Sequence, residues 1–415
     1  MSRQGPSENQ LPARRRGQLG QQGAFLAAAS VLALVLWSSG APSTLYPTYA
    51  EKWDLAPVVM TSVFATYPLA LIVVLPLFGN LSDLYGRRMV MIGGVTLIAL
   101  STLLFAVAPN VGFLFAGRAL QGIGSGLAMG AATVSLIENN PRINPRFAST
   151  TATVATATGL TMALLASGLM AQYAPLPLVL SYIVLLVLAI ATTAALLMTP
   201  GDRPEVRQRW RPQSPKVPHG IRMSFLIATL SVALAFSMGA IFLSLGAHMI
   251  AQFAQTDNRA IIGSLLASSS VAICLTALLA VRVSARSQVW AGAVLTVISL
   301  ALMVGASMFG SSVLFLSWCL VGGSAYSLAF TGGLGLINSV APERHRGATL
   351  SLLYLIAYVF QAATAIGVGA LATSGTLSTA VIAAAATLAG LCILAVVLLK
   401  ISTHVSPQAA RAVNA

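Results

Sequence analysis

Arg118, Gln121 and Ser125 recur at spacings of three and four within the apolar run "FLFAGRALQGIGSGLAMGAA", so a helix would place a guanidinium, an amide and a hydroxyl on one face. A second cluster, "GNLSDLYGRR" at 79–88, packs Asp83 beside Arg87 and Arg88 between two long uncharged runs. The first set has the chemistry to hold a carboxylate or a neutral polar solute. The second has the chemistry of an ion-paired loop. Neither is an enzyme's constellation: no apolar run carries paired acids, a His-x-x-x-His metal pair or a nucleophile with its base, and the phosphate-cradling G-x-x-x-x-G-K-[ST] pattern is absent. The expectation is a non-enzyme with no catalytic residues, no metal ligands and no cofactor.

The elements that must position these residues are long apolar helices. The chain has 415 residues, is 57% hydrophobic and only 8% charged, and carries runs too long to be strands. Windows of roughly 20 apolar residues predict twelve spans at 24–46, 58–79, 89–108, 111–137, 147–172, 177–199, 223–250, 260–281, 288–309, 312–338, 348–372 and 378–399. The expected fold class is an all-α polytopic membrane protein, embedded in a lipid bilayer and acting as a monomer. The net charge of +14 does not point to nucleic acid, because the bases lie in short loops between apolar runs rather than on one face. On the twelve-span map, 20 of the 23 Lys and Arg fall on one side; Lys52 and Arg259 fall opposite, and Arg118 lies within a span. That asymmetry places both termini in the cytoplasm, with the chain in a bacterial inner membrane. The basic stretch before the first run resembles a signal peptide, but the run is about as long as a full span and leads into eleven more, so it is read as a retained helix. Cys274, Cys319 and Cys392 lie in apolar runs as small core hydrophobes.

Residues 200–222, rich in Pro and Arg, divide the chain. The expected units are a tail at 1–23, a six-helix bundle at 24–199, a linker at 200–222, a second bundle at 223–400 and a tail at 401–415. A shift of 200 residues superposes Arg146 to Ser149 on Arg346 to Thr349 and Gly122 on Gly322, which suggests duplicated halves.

The stretch Gly79-Asn80-Leu81-Ser82-Asp83-Leu84-Tyr85-Gly86-Arg87-Arg88, in the second-to-third loop, resembles the G-x-x-x-D-x-x-G-R-[RK] motif of the major facilitator superfamily. Helix four resembles that family's R-x-x-Q-G motif through Arg118, Gln121 and Gly122. The resemblance implies two six-helix bundles related by a pseudo-two-fold axis, alternating access to a site near the bilayer midplane, and a small-molecule substrate. It also implies a conformational latch built from Gly79, Asp83, Gly86, Arg87, Arg88 and Glu138. In it, Asp83 would accept from exposed N–H groups near Arg346, Gly347 and Ala348 of the other half, and Glu138 would pair with Arg87 or Arg88. The matching loop of the second half, "AVRVSARSQV", keeps Arg282 and Arg286 without the acid.

The nine acids are Glu8, Glu51, Asp54, Asp83, Glu138, Asp202, Glu205, Asp257 and Glu343, and none is mid-helix. Proton coupling, if present, must use Asp83, an external-mouth group such as Glu51, Asp54 or Asp257, or His248. A cavity with Arg118 and no acid should suit carboxylates or neutral molecules. The candidate substrate and coupling residues are Arg118, Gln121, Ser125, Trp37, Tyr67, Tyr326, Tyr354, Tyr358 and Gln361, with Ser324 and Thr331 as further cavity candidates. Tyr354, Tyr358 and Gln361 share one helical face, and the alternative reading of such a stripe is packing.

Drug exporters of the family carry G-x-x-x-G-P-x-x-G-G in helix five. Here "GLTMALLASG" keeps Gly159 and Gly168 but lacks the proline, which weakens the antiporter signature. Against that, "STLYPTYAEKW" followed by the loop motif resembles bacterial drug-type exporters, and the reading is secondary active export of a small organic solute by proton antiport. The alternative is uptake or exchange of an organic anion held by Arg118. From a different class, a transporter-like membrane sensor would bind ligand without moving it.

Overall fold

Apolar runs of this length satisfy their backbone hydrogen bonds internally only as helices, and the computed structural model is helical throughout. It describes residues 19–78, 81–142, 145–201, 217–253 and 255–412, and among these no strand occurs. The helices in chain order are α1 (Gln21–Gly40), α2 (Tyr46–Trp53), α3 (Pro57–Phe78), α4 (Leu81–Tyr85), α5 (Arg87–Ala106), α6 (Val111–Glu138), α7 (Pro145–Tyr173) and α8 (Leu180–Leu197). The second half continues with α9 (Arg222–Ser244), α10 (Gly246–Phe253), α11 (Arg259–Leu279), α12 (Ala285–Phe309), α13 (Ser312–Val340), α14 (Glu343–Ser374) and α15 (Leu377–Ala412). Twelve of these helices are long and apolar enough to span a bilayer. Most of the expected linker, 202–216, and the tail residues 1–18 and 413–415 lie outside the described residues.

Two expected spans break. The run 24–46 is α1 followed by a turn: the Ala41 N–H closes on Trp37 O, Ser43 N–H on Gly40 O and Leu45 N–H on Pro42 O, before α2 begins with Pro47 in its first turn. Proline has no N–H to continue a helix ladder, so Pro42 and Pro47 separate the two helices. The run 223–250 divides at Leu245 into α9 and α10. The last span runs on through α15 to Ala412.

Side-chain caps fix several helix starts. Asn110 accepts from Gly112 N–H at 3.0 Å, and Asn258 accepts from Ala260 and Ile261 N–H at 3.0 and 3.1 Å. Helices then pack through small residues. A Cβ at Gly94 would meet Gly124 O at 2.6 Å, so α5 and α6 approach backbone to backbone. The same kind of contact joins α6 to α3 and α13 to α11. Gly122 faces the Tyr67 carbonyl of α3, and Gly323, not Gly322, faces the Ser269 carbonyl of α11.

The molecule has two ends. The basic end carries Arg87, Arg88, Arg142, Arg222, Arg282, Arg286, Arg346 and Lys400; the far end carries Glu51, Lys52, Asp54, Asp257 and Arg259. At the basic end the apolar clusters stay within one half. Val31, Val95, Ala132 and Leu196 belong to a cluster of the first half, and Val232, Ile337, Leu353 and Ala357 to one of the second. Toward the far end the clusters cross. Phe64, Phe105 and Tyr182 pack with Ala240, Ala362 and Ala365, and Leu164 of α7 joins the core of the second half.

Candidate functional site

The loop 79–88 builds an ion-paired triad. Gly86 has φ +87°, a conformation that costs glycine nothing, and it turns the chain from α4 into α5 so that Arg87 begins the helix. Arg87 Nη1 lies 2.5 Å from Asp83 Oδ1 and Nη2 lies 2.7 Å from Glu138 Oε1, with Nε donating to the same carboxylate. Arg88 Nη2 donates to Leu197 O at 2.6 Å. Gly79 lies outside the described residues. The expected bond from Asp83 to the α14 N-terminus is not the contact seen; Asp83 pairs with Arg87 of its own half, and its side chain is 66% exposed. A Cβ at Gly347 would meet nothing within 4 Å, so space is open at the start of α14.

Arg118 was expected to face a cavity or a partner rather than lipid, with a structural role on backbone carbonyls as the alternative; it is fully enclosed, and each guanidinium nitrogen has a protein acceptor, a main-chain carbonyl among them. Its position follows from where α1 stops. A helix C-terminus leaves carbonyls without intrahelical partners and carries partial negative charge. Arg118 Nη1 donates to Ser39 O at 3.2 Å and Gln121 Nε2 to Ser38 O at 2.6 Å, so the pair caps α1. Nη1 also donates to Gln121 Oε1 at 2.7 Å, and Nε and Nη2 both donate to the Tyr46 hydroxyl, Nε at 2.9 Å. The Tyr46 and Phe64 rings lie 5.5 and 5.8 Å from the guanidinium carbon. Tyr46 and the two carbonyls were invisible as partners in the sequence, because every residue supplies a carbonyl. The break "SSGAPS" was the only signal.

A cluster of rings in the second half lies near Tyr67 of the first. Phe236 of α9 lies 4.9 Å from Tyr358, 5.9 Å from Phe330, 6.4 Å from Tyr354 and 6.5 Å from Tyr326, centroid to centroid. Tyr67, on α3 of the first half, is an electrostatic neighbour of Tyr326 and Tyr358 and lies beside Ser125 and Ser39. Ser125 lies within reach of the Tyr67 hydroxyl, and Gln361 Oε1 is buried without a hydrogen-bond partner. Among the predicted residues, the structure therefore brings together Tyr67, Ser125, Tyr326, Tyr354 and Tyr358. Trp37 is half-buried against the core of the first half. Ser324 and Thr331 face elsewhere: Ser324 accepts from Thr276 of α11, and Thr331 donates to Gln288 of α12. Phe236 and Phe330 were missed because an isolated Phe in an apolar span carries no signal.

The far end is where the halves are joined. Arg259 Nη2 donates to both oxygens of Glu51 at 3.0 Å, and Arg259 N–H donates to Gln172 Oε1 at 2.8 Å. Val58 N–H donates to Thr373 Oγ1 at 3.0 Å. Gly168 of α7 and Gly263 of α11 meet so closely that a Cβ on either would lie 3.0 Å from the other's Cα. Gly168, which the sequence reading assigned to an exporter motif, thus packs on the opposite half.

Twelve helices long and apolar enough to span a bilayer, in two sets that meet at the far end, define a polytopic membrane protein of two helical halves. The sequence matches the Major Facilitator Superfamily over residues 28–257, more than half of the chain, and the protein belongs to that family. It is 29% identical over 132 residues to the "Putative multidrug resistance protein MdtD" of Pectobacterium carotovorum, and 28% identical over 132 residues to that of Escherichia fergusonii. Each match covers 32% of this chain and 28% of the relative. Among solved structures, a mutant of the nucleoside transporter NupG superposes with TM-score 0.73 at 14% identity, covering 91% of this chain and 99% of that one. An inward-facing, occupied bacterial homologue of the human lysosomal transporter Spinster superposes with TM-score 0.69 at 14% identity, covering 92% and 95%. At such identities the likeness concerns the fold.

Proposed function

We propose that this transporter exports aromatic, lipophilic solutes that are neutral or cationic, by proton-coupled alternating access. The observation that carries the substrate class is the cluster of Phe236, Tyr326, Phe330, Tyr354 and Tyr358 opposite Tyr67, with no ionised side chain among them. Ring faces stack on aromatic solutes and attract cations, while Gln361 Oε1 offers an unpaired polar contact. The alternative, an organic anion held by Arg118, loses ground because the arginine's nitrogens already serve Tyr46, Ser39 and Gln121. Export is favoured by the name of the MdtD relatives over the matched third of the chain.

The basic end is the cytoplasmic one by the positive-inside rule. Joined at the far end and unjoined in its apolar clusters at the basic end, the protein would then be facing inward. The latch residues Asp83, Arg87 and Glu138 would engage the second half only in the outward-facing state.

A thermal-stability screen of purified protein against planar lipophilic cations, neutral aromatics and carboxylates tests the substrate class. Stabilisation by the first two, lost in Phe236→Ala and Tyr358→Ala, is expected. Stabilisation by carboxylates alone, lost in Arg118→Ala, would restore the anion reading. Binding without movement of the bound compound across proteoliposome membranes would mark a sensor.

A further inference from the structure

We propose that His248 is a proton-binding site that controls the Glu51–Arg259 gate at the far end, so that acidity on that side opens the gate. The inference rests on the alternating-access reading and on the far end being external; it needs no particular substrate.

The argument starts from placement. α10 leaves the end of α9 after the break at Leu245 and packs against α2 of the other half as well as against α9, α11 and α12. His248 is thereby set where the two halves meet, in the electrostatic field of both members of the cross-half pair, Arg259 and Glu51. Its Nδ1 is enclosed and makes no hydrogen bond. A buried imidazole nitrogen without a partner is costly unless opening supplies water or a proton.

The charges around it are few. From α11 comes Arg259; from α2 come Glu51 and Lys52, with Tyr46 and Tyr49; the flanking loops add Asp54 and Asp257. The ends of α9 and α12 near it contribute no ionisable side chain. With the gate closed, burial first and the Arg259 charge second hold the imidazole at about 4, against 6.5 for a free histidine, and Glu51 offsets only part of this. Opening would separate Arg259 from Glu51 and admit water, returning His248 towards its ordinary value. The open state therefore binds the proton more tightly. Above pH 6.5 neither state is protonated and pH has no influence; as pH falls from 6.5 to 4 the open state gains, and below 4 the gain is complete. The full difference corresponds to roughly a 300-fold change in the open-to-closed ratio.

The test is a distance measurement on the purified full-length protein. Spin labels would be placed at Leu176→Cys and Val313→Cys, both exposed at the far end and on different halves, in a background with the three native cysteines replaced. The wild-type gate should move from closed at pH 8 to predominantly open near pH 4. His248→Gln and His248→Asn should stay closed across the range, each checked by its melting temperature. Glu51→Gln should raise the open fraction at pH 8, where His248 is neutral in both states. A wild-type distance distribution unchanged between pH 8 and 4, or a pH response that survives in both folded His248 variants, overturns the proposal. Because no substrate enters the measurement, an error in the proposed solute class leaves this result readable.

Discussion

Gly263→Ala is the most direct test of how the halves meet. Gly168 and Gly263 form a contact between α7 and α11, and neither has room for a methyl group. A Cβ at Gly263 would lie 2.6 Å from Leu164 O and 3.0 Å from Gly168 Cα, both backbone atoms that no rotamer change can move aside. The helices must separate locally to accept it. Overpacking of this kind costs about 1–3 kcal/mol. If the contact exists only when the far end is closed, the whole cost falls on that state, and the closed-to-open ratio drops by roughly 5- to 150-fold. The same far-end label pair reads the shift, at pH 8 where His248 is neutral. Gly94→Ala is the control. Its Cβ would lie 2.6 Å from Gly124 O, an equally tight clash but inside the first half, where both conformations suffer alike. It should lower the melting temperature without moving the distance distribution. If Gly263→Ala behaves as Gly94→Ala does, destabilised but unshifted, the α7–α11 contact is permanent packing and not part of the closure.

Two further substitutions separate stability from function. Arg118→Lys keeps the charge but not the fork that reaches Tyr46, Ser39 and Gln121 together, so it should cost about 1.5–3 kcal/mol for each charged hydrogen bond lost, seen as a lower melting temperature; wild-type stability would show that the enclosure of Arg118 is not structural. Asp83→Asn should do the reverse. The pair it breaks is exposed and worth no more than about 1 kcal/mol, so the fold should survive while transport is lost, and wild-type transport by this variant would dismiss the latch.

The sequence made the twelve spans readable because a bilayer demands long apolar runs, and composition alone reports those. It hid the breaks after Gly40 and Ser244, since a turn within an apolar stretch leaves hydropathy unchanged and only Pro42 and Pro47 marked one of them. Residue types with scarce chemistry, such as Arg118 and Asp83, could be picked out. Their partners could not: Arg118 binds main-chain carbonyls, and Asp83 meets the arginine of its own loop. The far-end gate joins residues 208 positions apart, Glu51 and Arg259, whose separate listing as an external acid and one of two external bases gave no reason to pair them.

Arg118 and the Glu51–Arg259 pair, though they lie at different depths, are connected through α2. Arg118 holds the end of α1 through Ser39 and the start of α2 through Tyr46, so it fixes the turn between the two helices. α2 is only eight residues long, and Glu51 lies five residues after Tyr46 on it. A helix this short has little stability of its own; the direction in which it presents Glu51 is set by its anchored first residue and by Tyr49, whose hydroxyl meets that of Tyr182 at 3.4 Å. The buried arginine thus holds the first residue of the helix that carries Glu51. Its charge is spent inside the first half, and what it delivers to the second half is a carboxylate held where Arg259 and His248 can find it. On this account a span without an acid can still govern an electrostatic closure, because the acid it controls stands outside the span.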